Sequence, residues 1–279
     1  MPKALLDDRA VLRLSGEATK PFLQGLVTQD VSRLSAGLAC YAALLTPQGK
    51  ILADFFVVDT GTDLLLDVSA GAAADLARRL TLYRLRARVA IEDVSERIAV
   101  LAVWDEDAPQ ALADVEDPRL GRLGRRVLVE KPVPENLTPQ TAYAARRIAL
   151  GVPEGGHDYG FGEVFPHEAD LDQLHGVDFR KGCFVGQEVV SRMEHRGPVR
   201  SRFVPVAIEG AAPAMGAPLR AGDRIVGQMG SHQGGRGLAL LRLDRVADAV
   251  AAGERIVSDG AVITPVRPDW ARFDWPLAR

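Results

Sequence analysis

The run Lys181-Gly182-Cys183-Phe184-Val185-Gly186-Gln187-Glu188 sets a thiol between two glycines, with an ammonium, an amide and a carboxylate close by. Val189, Val190 and Met193 are spaced for one face of a short helix over GQEVVSRMEH, stopped by Gly197 and Pro198. Cys183 is then expected just before that helix or in its first turn, where free N–H groups and the positive end of the dipole favour an anion. A thiolate is such an anion. The Lys181 ammonium, turned the same way, adds to the effect, and both lower a thiol pKa below about 8.5. Cys183 and Lys181 are on this reading the catalytic candidates. Gly182 and Gly186 leave room for a ligand or a second backbone, and Gln187 and Glu188 open the helix. The residue types alone favour a small packed side chain at Cys183 over a nucleophile. Cys40, beside Tyr41 in an apolar strand, is read as that packed kind.

Little else in the chain is spaced for chemistry. Its two cysteines among 279 residues exclude a disulfide framework and fit a reducing compartment. His157, His167, His175, His195 and His232 form no HxxxH or His/Cys pair, so no permanent metal site is expected. Asp170 and Asp172 read as a capped, solvated turn. A net charge of −3 and a pI near 6.0 give no global positive field for nucleic acid. The clusters Arg84/Arg86/Arg88, Arg122/Arg125/Arg126 and Arg196/Arg200/Arg202 are broken by apolar residues and read as solvated strand faces. No apolar run approaches the roughly 20 residues that span a bilayer. The start, MPKALLDDRAVLRLSG, resembles neither a secretory signal nor an acid-poor transit peptide. A cytoplasmic, bacterial, monomeric protein is expected.

The elements that position the motif follow from periodicity. AVLRL (10–14) alternates as a strand, and Ser15 is placed to cap a short helix ending near Gly25. Residues 40–69 predict three strands joined by Pro-Gln-Gly and Thr-Gly-Thr turns. A helix is expected at 71–82 with Leu76, Leu80 and Tyr83 on its buried face, then strands at ARVAIEDV and RIAVLAVW. The Asp-, Pro- and Gly-rich segment 104–140, with one strand at Arg126–Val129, reads as an excursion between layers. Thr138, Pro139 and Gly151 mark the ends of a further helix. The loop beyond Gly151 reads as too polar and glycine-rich for core. From 201 onward, short apolar runs between glycines and prolines predict an all-β barrel. The fold class is α+β, with residues 1–200 forming one region and 201–279 the barrel.

The segment FPHEADLDQLHGVDFRKGCFVGQEVVSRMEHRGPVRSR (165–202) resembles the signature of folate-binding YgfZ-type proteins. These are relatives of the glycine-cleavage aminomethyltransferase (T-protein) that act in iron–sulfur cluster assembly or repair. Three further stretches agree in order: Phe22-Leu23-Gln24-Gly25 with Thr28, Asp30 and Val31; Thr46-Pro47-Gln48-Gly49-Lys50 with Asp54; and Arg147-Ile148 with Gly151 and Pro153. The resemblance implies two interleaved α+β lobes and a C-terminal β-barrel around a central channel holding folate. It implies tetrahydrofolate, or another folate, as cofactor, and iron–sulfur assembly proteins or client enzymes as partners. Tyr143 stands where an aromatic would face the pterin, and fits the apolar face of helix 139–150 equally well. Glu168 and Arg180 are candidates for its polar ends, and Gln187 and Glu188 for further contacts. One departure is visible: aminomethyltransferases carry a Glu in the stretch that here runs Arg147-Ile148-Ala149-Leu150-Gly151.

Three functions remain open from sequence. The first is an iron–sulfur accessory factor with Cys183 as its reactive thiol. The second is a tetrahydrofolate-dependent aminomethyl or one-carbon transferase. The third is a non-enzymatic folate-sensing scaffold.

Overall fold

The first two strands of the chain go to different sheets, and this single choice interleaves the two lobes. A computed structural model describes residues 2–105, 108–195, 197 and 199–275. Its elements are β1 (Lys3–Leu5), β2 (Arg9–Ser15), α1 (Thr19–Gln24), β3 (Ala39–Leu45), β4 (Ile51–Asp59), β5 (Leu64–Ser69), α2 (Ala70–Arg84), β6 (Ala90–Asp93), β7 (Ile98–Val103), β8 (Ala113–Glu116) and β9 (Arg125–Glu130). There follow α3 (Gln140–Leu150), α4 (Gln187–His195), β10 (Ser201–Glu209), β11 (Pro218–Ala221), β12 (Arg224–Gln233), β13 (Arg236–Arg242), α5 (Leu243–Ala251), β14 (Ile256–Ser258) and β15 (Ala261–Pro265). One sheet has the order β3-β4-β5-β2-β6, a second β1-β7-β9-β8, and β10-β13-β12-β11-β14-β15 close into a barrel. The expected α+β class with a terminal barrel is what the chain adopts. Residues 104–140 are less an excursion than a source of two strands for the second sheet.

The five-stranded sheet is buried on both faces, and the period-2 alternation of its strands shows how. Ala53, Phe55 and Val57 of β4, with Leu64, Leu66 and Val68 of β5, pack under α1 and α2. Their neighbours Phe56, Val58 and Leu65 point the other way, into cores shared with the second sheet and the long loop after α3. Charged residues near the middle of that second face are withdrawn from water, and Arg9, Asp54 and Asp67 all lie buried or half-buried there. The loop after Gly151 is not a solvated strap either, since Glu154, Asp158, His167 and Asp170 within it are buried.

Helix ends show where local rules hold. Gly151, at φ 78°, ends α3: the Val152 N–H reaches Arg147 O and the Gly151 N–H reaches Ile148 O, the paired bonds of a Schellman turn. Helix α1 begins only at Thr19, and Ser15 is the last residue of β2 rather than a cap. Thr138 likewise lies ahead of the helix it was expected to cap, its N–H on Lys3 O. Helix α2 buries Leu76 and Leu80 as expected but leaves Tyr83 exposed. It ends in a tight turn, closed by the Ala87 N–H on Arg84 O at 2.8 Å, with Leu85 at φ 48°, ψ −107°. Those angles belong to the first central position of a type II′ turn, which glycine normally fills. Such strain costs on the order of 1–3 kcal/mol, about what a leucine-to-glycine change loses in chain entropy and more. Leu85→Gly is therefore expected to leave the thermal unfolding midpoint unchanged or raise it, as read by calorimetry.

Candidate functional site

Three sequence stretches matched separately come together to seat the thiol loop. Gly186, at φ 81°, lies so close to the turn after β3 that an added Cβ would sit 2.6 Å from Thr46 O and 3.1 Å from Leu45 Cβ. The Lys181 Nζ donates to the carbonyls of Gln24, Val27 and Gln29 at 2.7, 2.6 and 3.0 Å, tying the loop to the end of α1. Thr28 Oγ1 donates to Gly176 O at 2.6 Å, and the Asp178 N–H to Thr28 O. Phe184 is buried as the apolar plug between these anchors. Between Lys181 and Phe184, Gly182 and Cys183 are left exposed. The loop is thus pinned on both sides of a thiol that faces solvent.

The geometry decides between the two positions expected for Cys183 and differs from expectation at Lys181. Helix α4 starts at Gln187, so Cys183 precedes its first turn rather than lying in it. The Lys181 ammonium is committed to three carbonyls and is a positioning group, not a partner aimed at the thiol. Burial pushes Lys181 down to about 8, against the three acceptors that favour its charged form. Pro198, expected to help stop α4, and Arg196 of the third arginine cluster lie outside the described residues. Cys40 is the packed thiol it was taken for, and burial pushes its pKa up to about 12.

The expected folate contacts do not converge. Glu188 is exposed and pairs with Arg192 one turn along α4, and Gln187 is half-buried on the same helix. Arg180 is exposed on the thiol loop. Glu168 caps its own loop through the Phe165 N–H at 2.9 Å and lies 3.8 Å from Lys50. Tyr143 is buried, with its hydroxyl accepting from Arg119 and Arg126 at 3.0 and 3.2 Å.

That hydroxyl belongs to a network filling the place where the two lobes and the barrel meet. Arg9 pairs with Asp67 at 2.6 Å, Arg119 with Asp117 at 2.9 Å, and Arg147 with Asp158 at 2.6 Å. Arg126 lies 3.3 Å from Asp67, 3.6 Å from Asp117 and 3.6 Å from Glu154. Glu154 also meets Arg9 at 3.5 Å and Arg147 at 3.2 Å. Asp158 reaches the barrel, accepting from the Ser231 N–H and hydroxyl. Burial would raise the Glu154 pKa, but Arg147, Arg119, Arg9 and Arg126 outweigh it and hold the carboxyl well below its ordinary range. Four guanidiniums thus face four carboxylates, and the cluster closes near neutrality. Arg126, Arg202, Asp170 and Asp172 were expected on solvated faces or turns. Arg126 is instead in this cluster, and Arg202 grips Asp170 and both oxygens of Asp172.

A pterin does not fit this centre. The cavity beside it, between Asp8, Tyr143, Arg147, Glu154 and His157, measures about 40 Å³, room for a water or two, whereas small-molecule pockets run to roughly 300 Å³ or more. Asp67, Asp117, Glu154 and Asp158 are each held by an arginine, while Asp54 is held by the Tyr41 hydroxyl at 2.6 Å. A groove of about 370 Å³ runs along the last turn of α3, but its one acid, Asp269, is taken by Arg122. At the mouth of the small cavity His157 bonds Asp8, which holds the imidazole above its ordinary 6.5. A raised folded pKa means that this pair stabilises the fold fully below pH 6.5 and less as pH rises through the folded value. The stability difference between the wild type and His157→Ala is expected to shrink from about pH 6 to about pH 8, measured by urea unfolding.

Among the described residues, His167, Asp172 and Glu194 bring candidate metal-ligand atoms within 4.8 Å of one another. Arg202 occupies both Asp172 oxygens, which makes the trio the edge of an ion-pair cluster rather than a cation cradle. The charges missed from sequence carried one usable signal. Asp54 and Asp67 each interrupt an apolar run, and Arg126 shares the inward alternation of Leu128 in β9.

Residues 9–120 match the family model described as the GCVT N-terminal domain, and 200–273 the CAF17 C-terminal beta-barrel domain. The mitochondrial iron-sulfur cluster assembly factor IBA57 of Mus musculus is 31% identical over 314 residues, an alignment covering 98% of this chain and 85% of that protein. The Homo sapiens protein of the same name is 32% identical, covering 97% and 84%. The chain belongs to the IBA57 family. The IBA57 homolog of Neurospora crassa is 35% identical over 244 residues, 76% of this chain but 55% of that longer protein. The glycine cleavage system aminomethyltransferase T of Bartonella henselae shares the fold, with a TM-score of 0.74 at 15% identity over 98% of this chain and 87% of its own. The implied fold, an aminomethyltransferase-like body with a terminal barrel, is therefore what this IBA57 family member has. The cytoplasmic expectation is overturned: these IBA57 relatives are named mitochondrial. That expectation rested on the first 16 residues, the two cysteines and the lack of a long apolar run, whereas the relatives match this chain throughout its folded body.

Proposed function

We propose that this chain is an accessory factor in iron–sulfur cluster assembly, in which Cys183 lends one ligand to a cluster held jointly with a partner protein. The observation that carries the reading is the exposed Cys183, seated on a loop pinned by Lys181, Phe184 and Gly186. A cluster takes about four protein ligands. Cys40 is half-buried in β3 with its thiol pKa pushed up to about 12, so a cluster at Cys183 draws its other ligands from the partner. Ligation replaces the thiol proton by an iron–sulfur bond. Transfer breaks that bond when a client thiolate takes the iron, and the Cys183 sulfur regains a proton from solvent. The names of the relatives support the role in cluster assembly, and the narrow cavity at the centre supports a reading without folate there. Nothing in the site specifically favours one-carbon transfer or folate sensing. The test is complementation: in cells depleted of their own IBA57-family protein, this chain is expected to restore the activity of cluster-dependent enzymes. Restoration that is absent, or that proceeds equally without the Cys183 sulfur, sinks the proposal.

A further inference from the structure

The turn that ends α2 carries a leucine in a conformation suited to glycine and then holds it in water. Leu85 is 86% exposed at φ 48°. Its side chain therefore returns nothing to the fold for the strain its backbone bears. Two more apolar side chains of the same tip face outward, Leu82 at 63% and Tyr83 at 37% exposure. The buried stripe of α2 stops at Leu80, so this trio continues the helix beyond the sheet that it covers.

Charge identifies what would cover the trio. Arg86 and Arg88 follow Leu85 and are exposed, and among the described residues neither forms an ion pair. Of the acids on the adjoining elements, Asp75 pairs with Arg78 and Arg79 and Glu92 with Arg97, while Asp93 bonds the Ser95 hydroxyl and Glu17 is exposed. A chain of net charge −3 thus presents a local positive surface around an apolar tip. Tyrosine and arginine are the residue types that anchor protein interfaces. A membrane surface asks for more, about four to eight cations beside a lipid-facing stretch or a long amphipathic face.

We propose that Leu82, Tyr83, Leu85, Arg86 and Arg88 form a docking surface for an acidic, amphipathic segment of a partner protein, with Leu85 entering an apolar pocket of that segment. That the partner is the cluster-sharing protein rests on the reading above; the surface itself does not.

The experiment places a photoreactive benzoylphenylalanine at Leu82 of the full chain, in cells depleted of their own IBA57-family protein, and maps the cross-linked peptide by mass spectrometry. A synthetic peptide of the mapped sequence is then titrated against the purified chain. The expected result is one principal adduct in a segment of net negative charge. Peptide affinity should fall at least tenfold in Leu85→Gly and in Arg86→Glu/Arg88→Glu. Leu85→Gly relieves the turn, so a loss of binding with an unchanged or higher unfolding midpoint is not misfolding. No adduct, a segment without acids, or affinity unchanged in both variants overturns the proposal. So does co-sedimentation with vesicles of phosphatidylcholine and phosphatidylserine that the same variants abolish. Cys183→Ser separates the two readings. Its adduct should persist, and a wild-type chain that docks yet restores no cluster enzyme leaves this surface standing while the cluster role falls.

Discussion

Glu154→Gln is expected to bring the protein close to unfolding at room temperature. The Glu154 carboxylate meets Arg9, Arg126 and Arg147 within 3.6 Å, all of them buried or nearly so. The amide keeps the shape but removes the charge, leaving four guanidiniums against three carboxylates out of reach of water. Breaking a buried pair from one side costs about 3–5 kcal/mol, a large part of the roughly 5–15 kcal/mol that holds a typical domain together. Urea unfolding followed by circular dichroism reads the loss directly. A change under about 1 kcal/mol would show that the network is dispensable. The sign of the pH dependence follows. The folded Glu154 pKa is depressed, so its stabilisation is fully present above the ordinary 4.5 and lost as pH falls toward the folded value. In the variant, that part of acid unfolding should be missing.

Cys183→Ser is expected to do the opposite, removing function while leaving stability untouched. The side chain is exposed, so serine in its place should shift the unfolding midpoint by no more than about 1 °C. A serine hydroxyl is a hard, weakly acidic ligand that does not replace a soft thiolate on cluster iron. Activity of cluster-dependent enzymes in complemented cells should therefore drop at least tenfold. Cys40→Ser supplies the contrast. Its thiol is half-buried and pushed up to about 12, and its replacement should spare activity. Equal activity in the two variants would remove Cys183 from the chemistry.

The strands, the main helices and the barrel were legible because each rests on local periodicity. The alternation of β4 and β5, the buried stripe of α2 at Leu76 and Leu80, and the glycine stop of α3 all depend on neighbours within a few residues. The misread parts depend on distant ones. The loop after Gly151 looked too polar for a core because its acids, Glu154 and Asp158, are neutralised by Arg9, Arg126 and Arg147 from β2, β9 and α3. The pairing of Lys181 with carbonyls more than 150 residues earlier was equally invisible to spacing.

By itself, the amino-acid sequence determined the α+β class, the barrel and the position of the one thiol flanked by glycines, since residue type and short-range pattern decide these. Only the tertiary structure decided that this thiol faces water, that its lysine is an anchor, and that paired charges fill the centre. Burial and ion pairing are properties of surfaces brought together by folding, and here the groups that meet lie on strands, helices and loops far apart along the chain.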